Sequence, residues 1–283
     1  MTITINKGNK FSVVIPVYET HLNTKKLFDS FYKYLNKFIV ELIFVVDLPT
    51  EEFLLKVKSF RQKNIKIILI TNDKKVGYGK ALQMGILKAS HEKIYTMDVD
   101  NQHKIQDIIN LNDVFNNNPN LIFLIGQRTN ENNIIRNFAK KFIKYLNFFI
   151  SGSYIIDSLS GMKGYRSIYI KKIICEFKLP DGMAFSDIIS NIYFIFFKNK
   201  VKEIPINIRN RTFGASKVKK RDFFIIIANM IILNSKYNSL ILNSYIIVIL
   251  ALLKVGIIFH LLPILFFLMS TMLRIKLNRI INI

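Results

Sequence analysis

Apolar positions in the first half of the chain come in two spacings. "FSVVIPV" (11–17), "ELIFVVD" (41–47) and "IKIILIT" (65–71) are short, continuous apolar runs, rich in β-branched residues and bounded by turn residues. Runs of that kind read as strands buried on both faces, as in a parallel sheet. "EKIYTMD" (92–98) and "NLIFLIG" (120–126) read as a fourth and a fifth strand. Between the runs the apolar residues recur every three or four positions, at Leu27, Phe31, Leu35 and Phe38, and again at Leu82, Gly85, Ile86 and Ala89. That is the spacing of helices with one buried face. The alternation predicts an α/β fold with a mostly parallel, Rossmann-like sheet and right-handed crossovers. Ligands of such sheets sit outside the carboxyl ends of the strands. Pro16 to Glu19, Asp47, Asp98 to Gln102, and Gly126 to Arg128 all fall at such ends. They are predicted to converge on one edge.

The pattern changes after about residue 217. "SKVKKRD" (216–222) is a basic run, followed by "FFIIIANMIIL" (223–233). The second is too short to span a hydrocarbon core of ~30 Å but suits a helix lying in the interface. Residues 240–273 are overwhelmingly apolar, with Lys254 and Gly256 near the middle. Lys236 precedes the stretch, and Arg274, Lys276 and Arg279 follow it. Both ends therefore prefer the cytoplasm. A helical hairpin satisfies this, either as two short spans or as a re-entrant pair. The expected organisation is an α/β domain over 1–217, a basic interfacial helix over 218–236 and a membrane hairpin over 237–283. The expected location is the cytoplasmic membrane, with the α/β domain facing the cytoplasm.

Composition supports that division. The chain has 283 residues, 51% of them hydrophobic, with a mean hydropathy of +0.26. That is more apolar than a soluble domain of this charge requires. There are 41 Lys and Arg against 19 Asp and Glu, a net charge of +22. Such an excess points to anionic partners, a nucleotide, a phosphate or a bilayer surface. The basic residues are scattered and the tail is apolar, so nucleic acid is not an expected partner. Homo-oligomerisation stays open. Cys175 stands alone, which excludes an internal disulfide and a cysteine zinc site. The N-terminal residues lack the charged and apolar regions of a signal peptide, so none is expected.

Against this background two acids stand out in "YTMDVDNQHK" (95–104). A single Asp after a strand is often a helix cap. Asp98 and Asp100 come as a pair, however, with Gln102 two further on. Extended residues i and i+2 point the same way, so these oxygens can meet at one point. Hard oxygen donors suit Mg²⁺ or Mn²⁺, with water and phosphate completing the shell.

The order of motifs resembles the family 2 glycosyltransferases of GT-A fold, and within them the polyprenyl-phosphate glycosyltransferases of the dolichol-phosphate mannose synthase type. "VVIPVYE" is similar to the opening nucleotide-binding strand and "ELIFVVD" to the second. "VGYGKALQMGILKAS" is similar to the glycine-containing turn and helix before the metal strand, and "MDVDNQH" to the metal motif. "GQR" (126–128) resembles a Gly-Ser-Arg element, and "DSLSGMKGYR" (157–166) an Asp-x-x-Ser-Gly-Phe-Arg element. "KEIPINIRNRTFGASK" (202–217) resembles a stretch ending in Arg-x-x-Gly-x-Ser-Lys. Departures are Glu19 directly after Tyr18, Leu48 in place of a second Asp, His91-Glu92 before the metal strand, and Met162-Lys163 in place of Phe-Arg.

The resemblance implies a hexosyltransferase moving a sugar from a nucleotide sugar to undecaprenyl or dolichyl phosphate, dependent on Mg²⁺ or Mn²⁺. Asp98, Asp100 and Gln102 would hold the metal. Pro16, Tyr18, Glu19, Asp47 and Val99, with Asp98, Asp100 and Arg128, would bind the nucleotide sugar. Arg136, Arg211, Ser216 and Lys217 would bind the lipid phosphate. Asp157 joins Asp98 and Asp100 as a catalytic candidate, lining the sugar or acceptor site. The alternative is transfer to a hydroxyl of a lipid-linked sugar, with Asp157 or Asp187 as base. A processive polysaccharide synthase is disfavoured, because the chain has no Trp for a Gln-x-x-Arg-Trp element.

Overall fold

The computed structural model of the chain describes residues 10–18, 24–60, 64–99, 103–129 and 134–208. The expected interfacial helix and membrane hairpin lie outside them. Among the described residues no helix is long and apolar enough to cross a membrane.

The apolar runs form the sheet as expected. β1 (Lys10–Val17), β2 (Ile39–Asp47), β3 (Ile65–Asn72), β4 (Lys93–Thr96) and β5 (Phe123–Arg128) alternate with α1 (Thr24–Leu35), α2 (Glu51–Ser59), α3 (Tyr78–Lys88) and α4 (Ile105–Asn117). Then follow α5 (Ile134–Ser151), β6 (Lys163–Arg166), α6 (Ser167–Glu176), α7 (Ala184–Phe197) and β7 (Val201–Ile206). The seven strands lie in the order β3-β2-β1-β4-β6-β5-β7. β6 runs antiparallel to both neighbours, and the other pairings are parallel.

Strand periodicity splits the core into two layers. Val13, Ile15 and Val17 pack with α1 and α4 residues such as Phe31 and Leu111. Val14, Ile43 and Val45 face the other way, against Leu82 and Ile86 of α3 and Phe185 and Ile189 of α7. Both faces of β1 and β2 are buried, which is why no polar alternation marks them. β3 is an edge strand and only partly buried.

Several boundaries differ from the sequence pattern. β5 begins at Phe123, beyond the Pro119–Asn120 turn, and runs on to Arg128 because β7 pairs with it through Ile206. Phe38 lies past the end of α1 yet packs against Phe11, with ring centroids 5.4 Å apart. Pro16 sits in a central strand, normally a poor place for it. Val14 accepts from Met97 N on the β4 side, and Pro16, two residues on, faces the same side. The β1–β4 ladder has ended by then, so the missing N–H removes no bond.

Candidate active site

Four strands deliver their carboxyl ends to one edge, and β6, being antiparallel, brings its amino end there too. Asp47 ends β2 and is buried. Its Oδ1 accepts from Asn72 Nδ2 at 2.9 Å and its Oδ2 from Val76 N at 3.0 Å. Those bonds fix the loop that leads to Gly77 and the start of α3. Tyr18 follows β1, half-buried beside it. Burial, then the charges of Asp47 and Asp98, push its phenol well above the ordinary value. The three residues therefore share one electrostatic neighbourhood.

Asp98 lies two residues past the end of β4, so the strand delivers it without containing it. Tyr78 of α3 donates its hydroxyl to Asp98 Oδ1 at 3.0 Å. Asp98 N donates to Nδ1 of the buried His103 at 3.3 Å, tying the two ends of the 98–103 segment. Gly161 backs the carboxylate: a Cβ there would fall 2.3 Å from Asp98 Oδ2. Thr96 Oγ1 holds the same glycine by donating to its carbonyl at 2.8 Å. Val99 turns the other way, its side chain packed in the core beside Met97.

Arg128, the last residue of β5, grips Asp157. Its Nε and Nη2 donate to the two carboxylate oxygens at 2.8 and 2.7 Å, and its backbone N adds a third bond at 3.0 Å. Asp157 is 1% exposed. Burial raises its pKa, but Arg128 and then Lys140 outweigh that and hold the carboxyl below its usual value. Lys140 of α5 donates to the Arg128 carbonyl at 2.8 Å. Glu203 of β7 accepts from Asp157 N and Ile156 N at 2.9 Å each. The loop carrying Asp157 is thus held from β5 and β7, with α5 bracing Arg128.

Beneath it lies a second buried layer. Lys163 Nζ, at the start of β6, donates to the Ser158 carbonyl at 3.0 Å and to that of Ser160. Burial lowers its pKa to about 7, with Asp157 pulling upward, Arg128 downward, and Asp187 and Asp98 upward. Asp187 of α7 accepts from Asn147 Nδ2 at 3.0 Å, from Asn191 Nδ2 at 3.1 Å and from Ser158 Oγ. Burial raises the Asp187 pKa in spite of these donors.

The structure thus brings together Tyr18, Asp47, Asp98, Arg128 and Asp157, with Pro16 on β1 two residues before Tyr18, while Val99, expected at the nucleotide sugar, packs into the core instead. Arg136 falls in the first turn of α5. Glu19, Asp100, Gln102, Arg211, Ser216 and Lys217 lie outside the described residues. Among the described residues no group of three or more His, Cys, Asp or Glu side chains could hold a metal. Sequence reasoning missed Tyr78, Lys140 and Glu203 as supports. Tyr78 was visible inside the "VGYG" motif; the other two carry no local signal. A cavity of about 670 Å³ opens at the opposite edge, lined by His91, Glu92 and Arg166 among others. Arg166 is occupied there by Glu92 and by the Phe115 and Leu121 carbonyls.

Residues 12–174 match the family model described as Glycosyl transferase family 2. A dolichyl-phosphate beta-glucosyltransferase, ALG5D of Trichomonas vaginalis, is 26% identical over 182 residues, 59% of this chain and 52% of the relative. The chain spans about half the length of that curated relative. Glucosyl-3-phosphoglycerate synthase of Mycobacterium tuberculosis, solved with Mn²⁺, UDP and glucosyl-3-phosphoglycerate, aligns with a TM-score of 0.58 at 14% identity, over 80% of this chain and 78% of that one. Its structure with Mg²⁺ and UDP gives 0.57 at 13%, over 80% and 77%. At such identities the likeness is one of fold, and it makes this sheet GT-A-like.

Proposed function

The chain belongs to glycosyl transferase family 2 and is a glycosyltransferase, and from that premise we propose that it moves a sugar from a nucleoside-diphosphate sugar to a polyprenyl phosphate at a membrane surface. One observation carries the reading: Tyr18, Asp47, Asp98 and the Arg128–Asp157 pair meet at the carboxyl edge of a single sheet. The name of the Trichomonas relative supports a lipid phosphate as acceptor. The UDP complexes of the structural neighbours support a nucleotide sugar as donor.

The donor side falls to β1, β2 and β4. Pro16, Tyr18, Glu19 and Asp47 would hold the nucleoside, with Asp47 also fixing the neighbouring loop. Asp98 fits a divalent ion: it is a hard oxygen donor aimed by Tyr78, against a glycine whose missing Cβ leaves the carboxylate its place. Asp98, Asp100 and Gln102 would hold Mg²⁺ or Mn²⁺. When bound, that ion supplies positive charge for the departing diphosphate. Arg128, anchored by Asp157, would add charge from the β5 side.

In the transfer, a phosphate oxygen of the acceptor forms a bond to the anomeric carbon. The bond from that carbon to the diphosphate oxygen breaks, with oxocarbenium-like charge in between. The nucleophile is already anionic, so no strong base is needed. Arg136, Arg211, Ser216 and Lys217 would position the lipid phosphate by charge-assisted hydrogen bonds. Transfer to a sugar hydroxyl would need a base. Both candidates are engaged, Asp157 in three bonds to Arg128 and Asp187 in a buried cluster. The α/β domain would occupy 1–217, the interfacial helix 218–236 and the membrane hairpin 237–283.

The acceptor is tested directly by offering membranes that hold the full chain both polyprenyl phosphate and a polyprenyl-diphosphate sugar. A radiolabelled donor should place label on the monophosphate, in a product cleaved by mild acid. Label on the lipid-linked sugar alone would move the acceptor to a hydroxyl.

A further inference from the structure

We propose that Leu48 supplies an apolar face that seats the nucleobase of the sugar donor. The inference deepens the proposed donor reading and rests on it. Leu48 directly follows Asp47, the last residue of β2, on the edge that gathers Tyr18, Asp98 and Arg128. Its backbone φ is 51°, and among the described residues it is the sole non-glycine with a positive φ. The left-handed region crowds the Cβ of any L-residue, and a bulky side chain is an outlier there. Pro49 adds to the cost, because the residue before a proline is pushed toward extended backbone. Glycine or asparagine would take the same backbone with little strain.

The turn explains the backbone but not the leucine. Only Leu48 and Pro49 separate β2 from Thr50, whose Oγ1 accepts from Phe53 N and caps α2. So short a link accounts for the left-handed turn, and Leu48 N is held in it by donating to the Asn72 carbonyl at 2.8 Å. Packing does not explain the leucine either. It is 50% exposed and belongs to neither buried layer. A lone exposed leucine is ordinary on a surface. One kept in strained backbone at a ligand edge points to a contact outside the fold. The neighbours define that contact. Asp47, Asn72 and the Tyr18 phenol are polar, and both Asp47 oxygens already accept from the protein, one from Asn72 Nδ2 and one from Val76 N. In a nucleoside-diphosphate sugar only the base has a flat, weakly polar face; the ribose, diphosphate and sugar carry hydroxyls or charge. Leu48 also stands where the resemblance places a second Asp, so a base would meet an apolar face there in place of a hydrogen-bond acceptor.

Titration calorimetry of the purified full chain with Mn²⁺ compares UDP, GDP, CDP and ADP with pyrophosphate, which has no base. Leu48→Asn should weaken the tightest of the four nucleotides about tenfold, the order expected when part of a leucine's buried contact is lost. Pyrophosphate affinity should not change. The thermal midpoint should hold or rise, because asparagine tolerates the left-handed turn. Leu48→Met, which keeps an apolar side chain, should keep the nucleotide affinity. Nucleotide binding unmoved by Leu48→Asn would overturn the proposal. So would equal weakening of nucleotide and pyrophosphate, the mark of a distorted site, or a lowered midpoint, the mark of a leucine that the fold itself needs. If the unsubstituted chain binds none of the four nucleotides, the donor reading fails and the proposal with it. That failure shows before any variant is made, so the two are told apart.

Discussion

A carboxylate as buried as Asp157 stays ionised only where bonds replace the water it has lost. Three bonds from Arg128 do so, and they make the pair a unit. Breaking a buried pair from one side costs about 3–5 kcal/mol, since the remaining charge is stranded. Arg128→Met should therefore lower the thermal midpoint of the full chain markedly. Adding Asp157→Asn should recover part of the loss, and an unchanged midpoint in the single variant would show the pair to be incidental. At this scale the sequence reveals acids better than their supports. Asp47 and Asp98 are scarce carboxylates at strand ends, and both fall at the edge the pattern predicts, whereas Asp157 is marked only by its motif. Lys163 reads as a plain replacement of Arg, but it is 1% exposed and braces two carbonyls of the Asp157 loop. Glu203 lies 46 residues from the backbone N–H it accepts from, a relation no local spacing expresses.

Elements carry the site by their close approaches. β6 runs against β4 so that Thr96 pairs with Lys163, and this brings Gly161 onto the Asp98 carboxylate. Gly161→Ala should leave the fold intact by circular dichroism but displace Asp98. Misplacement on the scale of 1 Å costs on the order of 10²-fold in rate. Near-normal turnover in that variant would mean that Asp98 has room to move. The legible elements are the ones with strong periodicity. β1 and β2 are continuous apolar runs because both faces are buried, and α1 and α3 show their buried stripes. β6, "KGYR", is four residues with a buried lysine, and β7, "KEIPI" with Val201 before it, is an edge strand carrying Pro205. Neither has a hydrophobic pattern, since their place is set by pairing partners far away in sequence. α7 hides for another reason: Ser186, Asp187, Ser190 and Asn191 are all buried, so polar residues mark its interior instead of its surface.

At the scale of the whole molecule, charge and apolar content fit the proposed task. A net charge of +22 would suit an enzyme working beside anionic headgroups on two phosphate-bearing substrates, as proposed above. The sheet edge gathers the residues proposed to hold the donor, and the apolar residues 240–273 would supply the expected anchor. The central claim is sugar transfer to a lipid phosphate at the Asp98 edge. The most direct test incubates membranes containing the full chain with polyprenyl phosphate and a panel of radiolabelled nucleotide sugars, with Mg²⁺ or Mn²⁺ and with EDTA. The account predicts a chloroform-soluble product from one donor, abolished by EDTA and by Asp98→Asn. Undiminished product in EDTA or in Asp98→Asn, or no lipid product from any donor, would contradict it.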